Sequence, residues 1–327
     1  MAADITADTS RAVAMGRTGI MVCGHGSRDE AAMAEFQLVA AGIRARLPDF
    51  PIETGYLEFA RPTIREGLEA LRAQGVDHIL AVPGMLMAAS HVKNDLPWEL
   101  NTFAAAHDGL DIRFGRDLGL DPRLLAAASE RIAEAAGEGP RDETLLVVVG
   151  RGTNDSDANS NISKVARMLW EGMGFGWAEV AYSGVAHPRV DACLERAMKM
   201  GYRRIVVFPY FLFTGVLVKR IYDQTDAVAA AHPGVAFIKA PYLRDHPLVM
   251  DAFADRAAEM LGETPPPNCR LCKYRTQIVG YEDDLGAAQR GHHHHVAGIG
   301  TGTHDHGHHD ADHHHAGHHH HHHGHDQ

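Results

Sequence analysis

The sequence predicts an α/β protein of two tandem duplicated domains, each a parallel β-sheet flanked by helices. Two observations predict this class: short apolar segments alternate with helical ones, and the alternation occurs twice along the chain. A third observation is that histidine, glycine, aspartate and alanine dominate beyond residue 291, a composition that cannot form a core. The predicted divisions are a disordered leader, two domains, a cysteine-containing extension and a disordered His-rich tail, at residues 1–18, 19–140, 141–262, 263–290 and 291–327.

The internal duplication can be aligned without gaps over roughly seventy residues, which is too long for chance similarity. His25 aligns with Arg151, an offset of 126 residues that also pairs Tyr56 with Tyr182. The aligned elements of the two halves are first strands at 19–23 and 145–149, helices at 29–47 and 159–173, second strands at 52–57 and 178–182, helices at 62–74 and 188–200, and third strands at 78–82 and 204–208.

The local residue patterns justify these elements in order. The first strands are apolar, β-rich runs that end in glycine, which is typical of buried strands of a parallel sheet. The second helix of each half is bounded by proline and glycine, at Pro62 and Gly75 in the first half. Functional side chains should then lie at the carboxyl ends of the strands, along one edge of each sheet.

Composition excludes several classes of function. The formal net charge of −11 disfavours binding to nucleic acid and to anionic lipid, since both require clustered lysine and arginine. We expect no membrane span, because the longest apolar runs have only the length of a strand, and no signal peptide, because the first residues lack an apolar segment. With four cysteines in 327 residues, the natural expectation is a reduced, cytoplasmic protein.

Three side chains are predicted to share one sheet edge. His25 follows the first strand in a glycine loop, Glu58 follows the second strand, and His91 lies in the loop after the third. Two imidazoles suit a borderline divalent metal, and a carboxylate can hold metal or accept a proton. The glycine loop matches neither a Walker A nor a dinucleotide-binding spacing, so no nucleotide is expected.

Each of these residues also has a simpler interpretation. A single histidine at a strand end is usually a satisfied polar residue, and Glu58 is equally well explained as a solvated rim residue. The second half serves as an internal control, since it keeps the scaffold but has Arg151, Gly184 and Leu217 at the aligned positions. This pattern predicts one functional site in the first half and a degenerate copy in the second.

The residues around this site resemble the class II tetrapyrrole chelatases, specifically the long form of the CbiX group. The resemblance covers residues 19–262 and is carried by the segments 24–28, 58–62, 83–97 and 208–217. It implies a lyase that inserts Co²⁺ into sirohydrochlorin for cobalamin biosynthesis, with His25 and His91 as metal ligands and proton acceptors. Glu58 is the third candidate catalytic residue. The ring would lie between the halves. Its carboxylates imply cationic or polar partners, for which the candidates are Ser27, Arg28, Lys93, Arg151 and Lys219, although the basic residues fit surface charge equally well.

The C-terminal extension carries Cys269 and Cys272, and the resemblance implies an iron–sulfur centre there. One C-x-x-C pair supplies two thiolates, whereas a cluster normally needs four, so a second chain or tail histidines would have to contribute. Zinc binding and redox chemistry are the competing interpretations. The His-rich tail is predicted to store or deliver Co²⁺ or Ni²⁺ and to be dispensable for chemistry; an expression tag explains only part of it.

Three rival functions remain open at this point. The first is a sirohydrochlorin ferrochelatase, because the site residues do not separate cobalt from iron. The second is a non-catalytic metal chaperone in which the tail does the work, and the third is a bilobal periplasmic metal-binding protein, which the missing signal peptide disfavours. The expected partners are the tetrapyrrole and a divalent metal, with a homodimer left as an open alternative.

Overall fold

The fold was analysed on a computed structural model that describes residues 17–268 and 272–287. The predicted leader at 1–18 and tail at 291–327 lie largely or wholly outside these ranges, although Thr18 already belongs to the first strand. No helix within the described residues is long and apolar enough to cross a membrane.

Two parallel four-stranded sheets form the framework, which confirms the predicted fold class. Their strand orders are β2-β1-β3-β4 and β6-β5-β7-β8, so the duplication extends to the topology. The strands are β1 (Thr18–Gly24), β2 (Ile52–Tyr56), β3 (His78–Pro83), β4 (Asp111–Phe114), β5 (Thr144–Gly150), β6 (Trp177–Tyr182), β7 (Arg204–Pro209) and β8 (Ala236–Lys239).

Helices cover both faces of each sheet, and a π-helical turn at His91–Asp95 leads into the third of them. The helices are α1 (Glu30–Arg46), α2 (Ile64–Ala73), α3 (Leu96–Ala105), α4 (Pro122–Ala136), α5 (Ser156–Met173), α6 (Val190–Met198), α7 (Val216–Ala231) and α8 (Pro247–Ala258).

Capping interactions decide where the helices begin, and they differ in detail from the prediction. Helix α2 begins after Thr63 rather than at Pro62, because Thr63 and Glu66 form a capping box. Helix α5 begins three residues earlier than predicted, because the Asp155 carboxylate accepts a hydrogen bond from the amide of Ala158. At the corresponding place in the first half, Asp29 caps α1 by accepting a hydrogen bond from the amide of Ala31.

The last helix of each half packs on the other half. Helix α4 contacts β7 and β8 of the second sheet, whereas α8 contacts β3 of the first sheet and helix α1. One apolar core therefore runs through both halves and contains Val22, Leu124, Val148 and Phe253. The predicted boundary at 140/141 follows the sequence repeat, but this exchange of helices crosses it and joins the halves into one packed unit.

The backbone repeats even where the sequence does not. Phe59 and Val185, which align at the offset of 126, are both in the left-handed region with φ of 63° and 53°. Such a conformation is uncommon for residues with a side chain beyond Cβ, so its repetition shows that both halves keep one loop geometry after the second strand. The second half has thus kept the framework of a site while changing its side chains.

Candidate active site

His25 is positioned by a tight contact between two loops at the carboxyl edge of the first sheet. Gly26 has φ of 96°, and a Cβ on it would lie 1.7 Å from the carbonyl oxygen of Glu58, so only glycine fits. The Glu58 amide donates to the carbonyl of His25 at 3.0 Å, which fixes the two residues side by side. His25 Nε2 then lies 3.0 Å from Glu58 Oε1.

His91 begins the π-helical turn, and the turn supplies its partner. His91 Nδ1 lies 2.6 Å from Oδ2 of Asp95, a carboxylate that is 1% exposed. The bond assigns the proton of the neutral ring to Nδ1 and leaves the Nε2 lone pair for a ligand. The aligned segment of the second half is regular α-helix and has Ile221 in place of Asp95, so the turn and its acid belong to the first half alone. Sequence reasoning did not assign Asp95 this role, although its i, i+4 spacing from His91 was the available signal.

The three predicted residues come together. One ligand atom from each of His25, Glu58 and His91 lies within 4.8 Å of the others, and the two imidazole rings are 4.6 Å apart and nearly perpendicular. His25 Nδ1 lies 2.9 Å from the carbonyl oxygen of Gly26, so a ring that carries its single proton at Nδ1 presents the Nε2 lone pair to the cluster. Two imidazole nitrogens and a carboxylate oxygen form a donor set suited to a divalent transition metal with exchangeable positions.

This cluster borders a cavity of about 720 Å³ between the two halves, within the size range of small-molecule sites. Apolar side chains from both halves contribute much of its lining, which sequence reasoning did not predict because these residues converge only in the folded chain. They include Met33, Phe36, Phe59, Leu86, Phe213 and Val216.

Three of the candidate substrate-binding residues lie at the wall of this cavity. Ser27, Arg28 and Arg151 all line it, and the Arg28 guanidinium lies over the Phe59 ring at 5.0 Å. The cleft walls desolvate Arg151 and lower its pKa, while the Glu58 carboxylate acts in the opposite direction. Arg151 thus brings a guanidinium of the second half to the cavity wall, within electrostatic reach of Glu58.

The two predicted substrate lysines have protein partners instead. Lys93 Nζ lies 2.6 Å from Asp155, with side chains 3% and 7% exposed, and 3.6 Å from Asp157. Lys219 Nζ lies 2.5 Å from Asp29. Each half therefore sends its lysine to the helix-capping aspartate of the other half, and neither lysine is part of the cavity wall. The geometry assigns this pair to the contact between the halves, a role that sequence reasoning missed.

The second half carries none of the three candidate metal-binding side chains at the aligned positions. Arg151, Gly184 and Leu217 stand where His25, Glu58 and His91 stand in the first half. Within the described residues, the only group of three or more His, Cys, Asp and Glu side chains close enough to hold a metal is the first-half cluster.

The extension packs against the loops of both halves. Asn94 donates to the Tyr274 hydroxyl at 2.6 Å, and the Tyr281 hydroxyl donates to the carbonyl of Asn154 at 2.6 Å. Cys272 is buried there, whereas Cys269 lies outside the described residues.

The other two thiols of the chain are remote from this segment, in the cores of the two halves. Cys23 lies in β1 and Cys193 in α6, and burial raises the pKa of both, that of Cys193 to about 11. The chain thus offers no second thiol pair beside Cys269 and Cys272, and an iron–sulfur centre there remains a prediction that needs ligands from elsewhere.

Comparisons with known proteins agree with this architecture. The CbiX family model matches residues 19–135 and again 145–260. A sirohydrochlorin cobaltochelatase of Priestia megaterium is 34% identical over 271 residues, covering 81% of this chain and 87% of the relative. A sirohydrochlorin ferrochelatase of Bacillus subtilis is 29% identical over 243 residues, covering 74% and 92%. The solved structure of SirB from Bacillus subtilis with Fe³⁺ superposes with a TM-score of 0.66 at 28% identity, covering 75% of this chain and 96% of that one.

Proposed function

The chain belongs to the CbiX family, and from that premise we propose that it is a sirohydrochlorin cobaltochelatase. In the proposed reaction Co²⁺ enters sirohydrochlorin without ATP, and two pyrrole protons are released. The observation that carries the proposal is the cluster of His25, Glu58 and His91 at the wall of a cavity between the halves. The cytoplasm, where thiols stay reduced, is the compartment we propose.

The metal is held by atoms that can release it. One nitrogen of each of His25 and His91 and a Glu58 oxygen lie within 4.8 Å of one another, while Asp95 and the Gly26 carbonyl contact the Nδ1 atoms of the two rings. A three-donor site leaves positions for water and for the incoming pyrrole nitrogens. Such a site keeps the ion partly hydrated and transfers it more readily than a closed four-ligand site would.

Proton removal uses the same side chains. Once the metal has left for the ring, His25 Nε2 can take up a pyrrole proton, and the new N–H donates a hydrogen bond to Glu58 Oε1, 3.0 Å away. The doubly protonated ring then makes both of its observed contacts, to Glu58 and to the Gly26 carbonyl. His91 can take the second proton, because Asp95 stabilises its charged form through the 2.6 Å bond.

The cavity matches an amphipathic macrocycle. Apolar walls such as Phe59 and Phe213 suit the faces of the ring, and Ser27, Arg28 and Arg151 can bind its carboxylates at the periphery. Lys93 and Lys219, which the sequence also suggested, are left out of this role because they are paired with Asp155 and Asp29.

The choice of cobalt needs its own argument, since both cobalt and iron chelatases are among the relatives. We favour cobalt for two reasons. The cobaltochelatase of Priestia megaterium is 34% identical to this chain, more than the 29% of the ferrochelatase of Bacillus subtilis, and a His-rich tail suits Co²⁺ or Ni²⁺. The second candidate function is therefore sirohydrochlorin ferrochelatase, favoured by the similarity to the ferrochelatase of Bacillus subtilis.

The test is an anaerobic absorbance assay with purified full-length chain and sirohydrochlorin, in the absence of nucleotide. Co²⁺, Fe²⁺ and Ni²⁺ are supplied separately, each against a blank without enzyme. We expect the fastest acceleration over the blank with Co²⁺. Faster insertion of Fe²⁺ would replace cobaltochelatase by ferrochelatase, and no acceleration with any metal would refute the proposed activity.

A further inference from the structure

Three consecutive side chains of the π-helical turn each have a partner. Lys93 is paired with the second half, Asn94 donates to the hydroxyl of Tyr274 at 2.6 Å, and Asp95 binds the His91 ring. The C-terminal extension lies outside both matches to the family model. Through Tyr274 it nevertheless contacts the turn directly beside the carboxylate that orients His91.

The aligned segment of the second half separates the effects of these contacts. Lys219 keeps the ion pair between the halves, but Arg220 and Ile221 stand at the positions of Asn94 and Asp95, and the segment is regular α-helix. The lysine contact alone is therefore not sufficient for a π-helical turn. Because such turns are rare, the first half needs further contacts to hold one, and the contacts specific to it are those of Asn94 and Asp95.

The π-helical turn determines the direction of the His91 side chain. The amide of Leu96 bonds to the carbonyl of His91, five residues earlier, whereas an α-helix joins residues four apart. Reversion of the turn to α-helix would rotate His91 relative to helix α3, which follows directly. Contacts that stabilise the turn therefore keep the His91 ring directed at Glu58 and His25.

Contacts within the extension hold Tyr274 independently of the turn. The Lys273 ammonium lies over the rings of Tyr274 and Tyr281, at 5.3 and 4.9 Å, and pairs with Asp284 at 2.8 Å. The amide of Gly286 donates to the carbonyl of Tyr274. The Tyr274 hydroxyl can therefore act as an anchor for the turn.

A second tyrosine attaches the extension to the other half. The Tyr281 hydroxyl donates to the carbonyl of Asn154, the residue before Asp155, while Tyr274 binds the residue after Lys93. The extension thus joins the two halves on either side of this buried ion pair. The aligned lysine of the second half is 60% exposed, so the position of the extension accounts for the difference in burial between the two pairs.

We propose that Tyr274 is a positioning residue for the metal site: its bond to Asn94 stabilises the π-helical turn that directs His91 at the candidate metal cluster. This inference rests on the proposed function and gives the C-terminal extension a part in it that does not involve its cysteines. Tyr281 binds the second half instead, so it anchors the extension and provides the matched control.

The test is a Co²⁺ titration of the full chain without tetrapyrrole, together with the unfolding midpoint of each variant. The binding signal that is lost in His91→Ala defines the cluster and separates it from binding to the His-rich tail. We expect Tyr274→Phe to weaken Co²⁺ binding at the cluster about two- to tenfold, the range for one lost hydrogen bond. Tyr281→Phe should bind Co²⁺ like wild type, because its lost bond does not reach the turn.

A double-mutant cycle tests whether Tyr274 acts through Asn94. Asn94→Ala should weaken Co²⁺ binding at least as much as Tyr274→Phe, and the double variant should bind no more weakly than Asn94→Ala alone, because both changes break one bond. Additive losses in the double variant would overturn the proposed route.

The remaining outcomes separate positioning from a structural role and from failure of the proposed function. Unchanged Co²⁺ affinity in Tyr274→Phe, or equal losses in the two tyrosine variants, would overturn the positioning role, even where both unfolding midpoints fall. A selective loss in Tyr274→Phe would support it even if wild type did not accelerate metal insertion into sirohydrochlorin, in which case only the proposed function fails. Full Co²⁺ binding in His91→Ala would refute both.

Discussion

The duplicated structure provides a matched pair of ion pairs that differ in burial. Lys93 binds Asp155 and Lys219 binds Asp29, and each aspartate also caps a helix of the opposite half. The first pair is almost fully buried, with side chains 3% and 7% exposed, whereas the Lys219 side chain is 60% exposed. Replacing each lysine by methionine therefore tests the same contact in two environments.

The Lys93→Met change leaves Asp155 buried without its cation, and Asp157 nearby adds a second negative charge. Breaking a buried ion pair by removing one partner costs about 3–5 kcal/mol. We expect a value near the lower end, because Asp155 keeps its hydrogen bond from the Ala158 amide. The Lys219→Met change should shift the unfolding midpoint little, since solvent already screens that pair.

Urea unfolding followed by circular dichroism measures both effects. The dependence of the free energy of unfolding on urea concentration should be the same in wild type and variants, which establishes that the same surface is exposed on unfolding. The double variant Lys93→Met/Asp155→Asn should recover much of the loss, because the amide removes the buried charge and keeps an oxygen for the helix cap. Equal and small losses for the two lysine variants would refute the assignment of Lys93 to a buried contact between the halves. The lysine would then be available to substrate, as the sequence first suggested.

Three further predictions follow from individual residues and segments. Burial raises the pKa of Asp117 to about 6. Between pH 4 and 6 this carboxyl therefore keeps its proton in the folded protein but loses it in the unfolded chain. The free energy of unfolding should then fall by roughly 3 kcal/mol as pH rises from 4 towards 7. Asp117→Asn should abolish that fall in urea unfolding across pH, whereas Asp49→Asn, at an exposed site, should retain it. Asp95→Asn should weaken Co²⁺ binding about 10–100-fold in a metal titration, because the carboxylate that orients His91 is lost; unchanged affinity would remove Asp95 from the site. A chain ending at residue 290 should keep turnover with saturating Co²⁺, and loss of turnover would favour the chaperone interpretation.

The sequence was sufficient to predict the fold class because two independent signals agreed. Periodicity located the strands, and the gapless repeat at an offset of 126 residues required that both halves share one topology. The helix starts were less predictable, since they depend on particular caps: Thr63, not the preceding proline, starts α2. The exchange of α4 and α8 between the halves was beyond reach, because the sequence of a helix does not encode which of two similar sheets it covers.

Some features of the candidate site could likewise be predicted from the sequence and others could not. His25, Glu58 and His91 could be brought together from sequence because parallel strands end at one edge, a rule of topology. The partners of Lys93 and Lys219 could not be predicted, since the partner of a cation depends on packing between distant segments. The aromatic and aliphatic residues of the cavity wall could not be predicted for the same reason, because they converge only in the folded chain.

The central claim is that metal insertion takes place at the first-half cluster and not at its aligned counterpart. The most direct measurement compares the rate of Co²⁺ insertion into sirohydrochlorin by His91→Ala with that by Leu217→Ala, the variant at the aligned position of the second half, with folding of both checked by circular dichroism. The account predicts that His91→Ala falls to the rate of the blank without enzyme while Leu217→Ala keeps most of the wild-type rate. Full activity in His91→Ala, or equal loss in both variants, would contradict it.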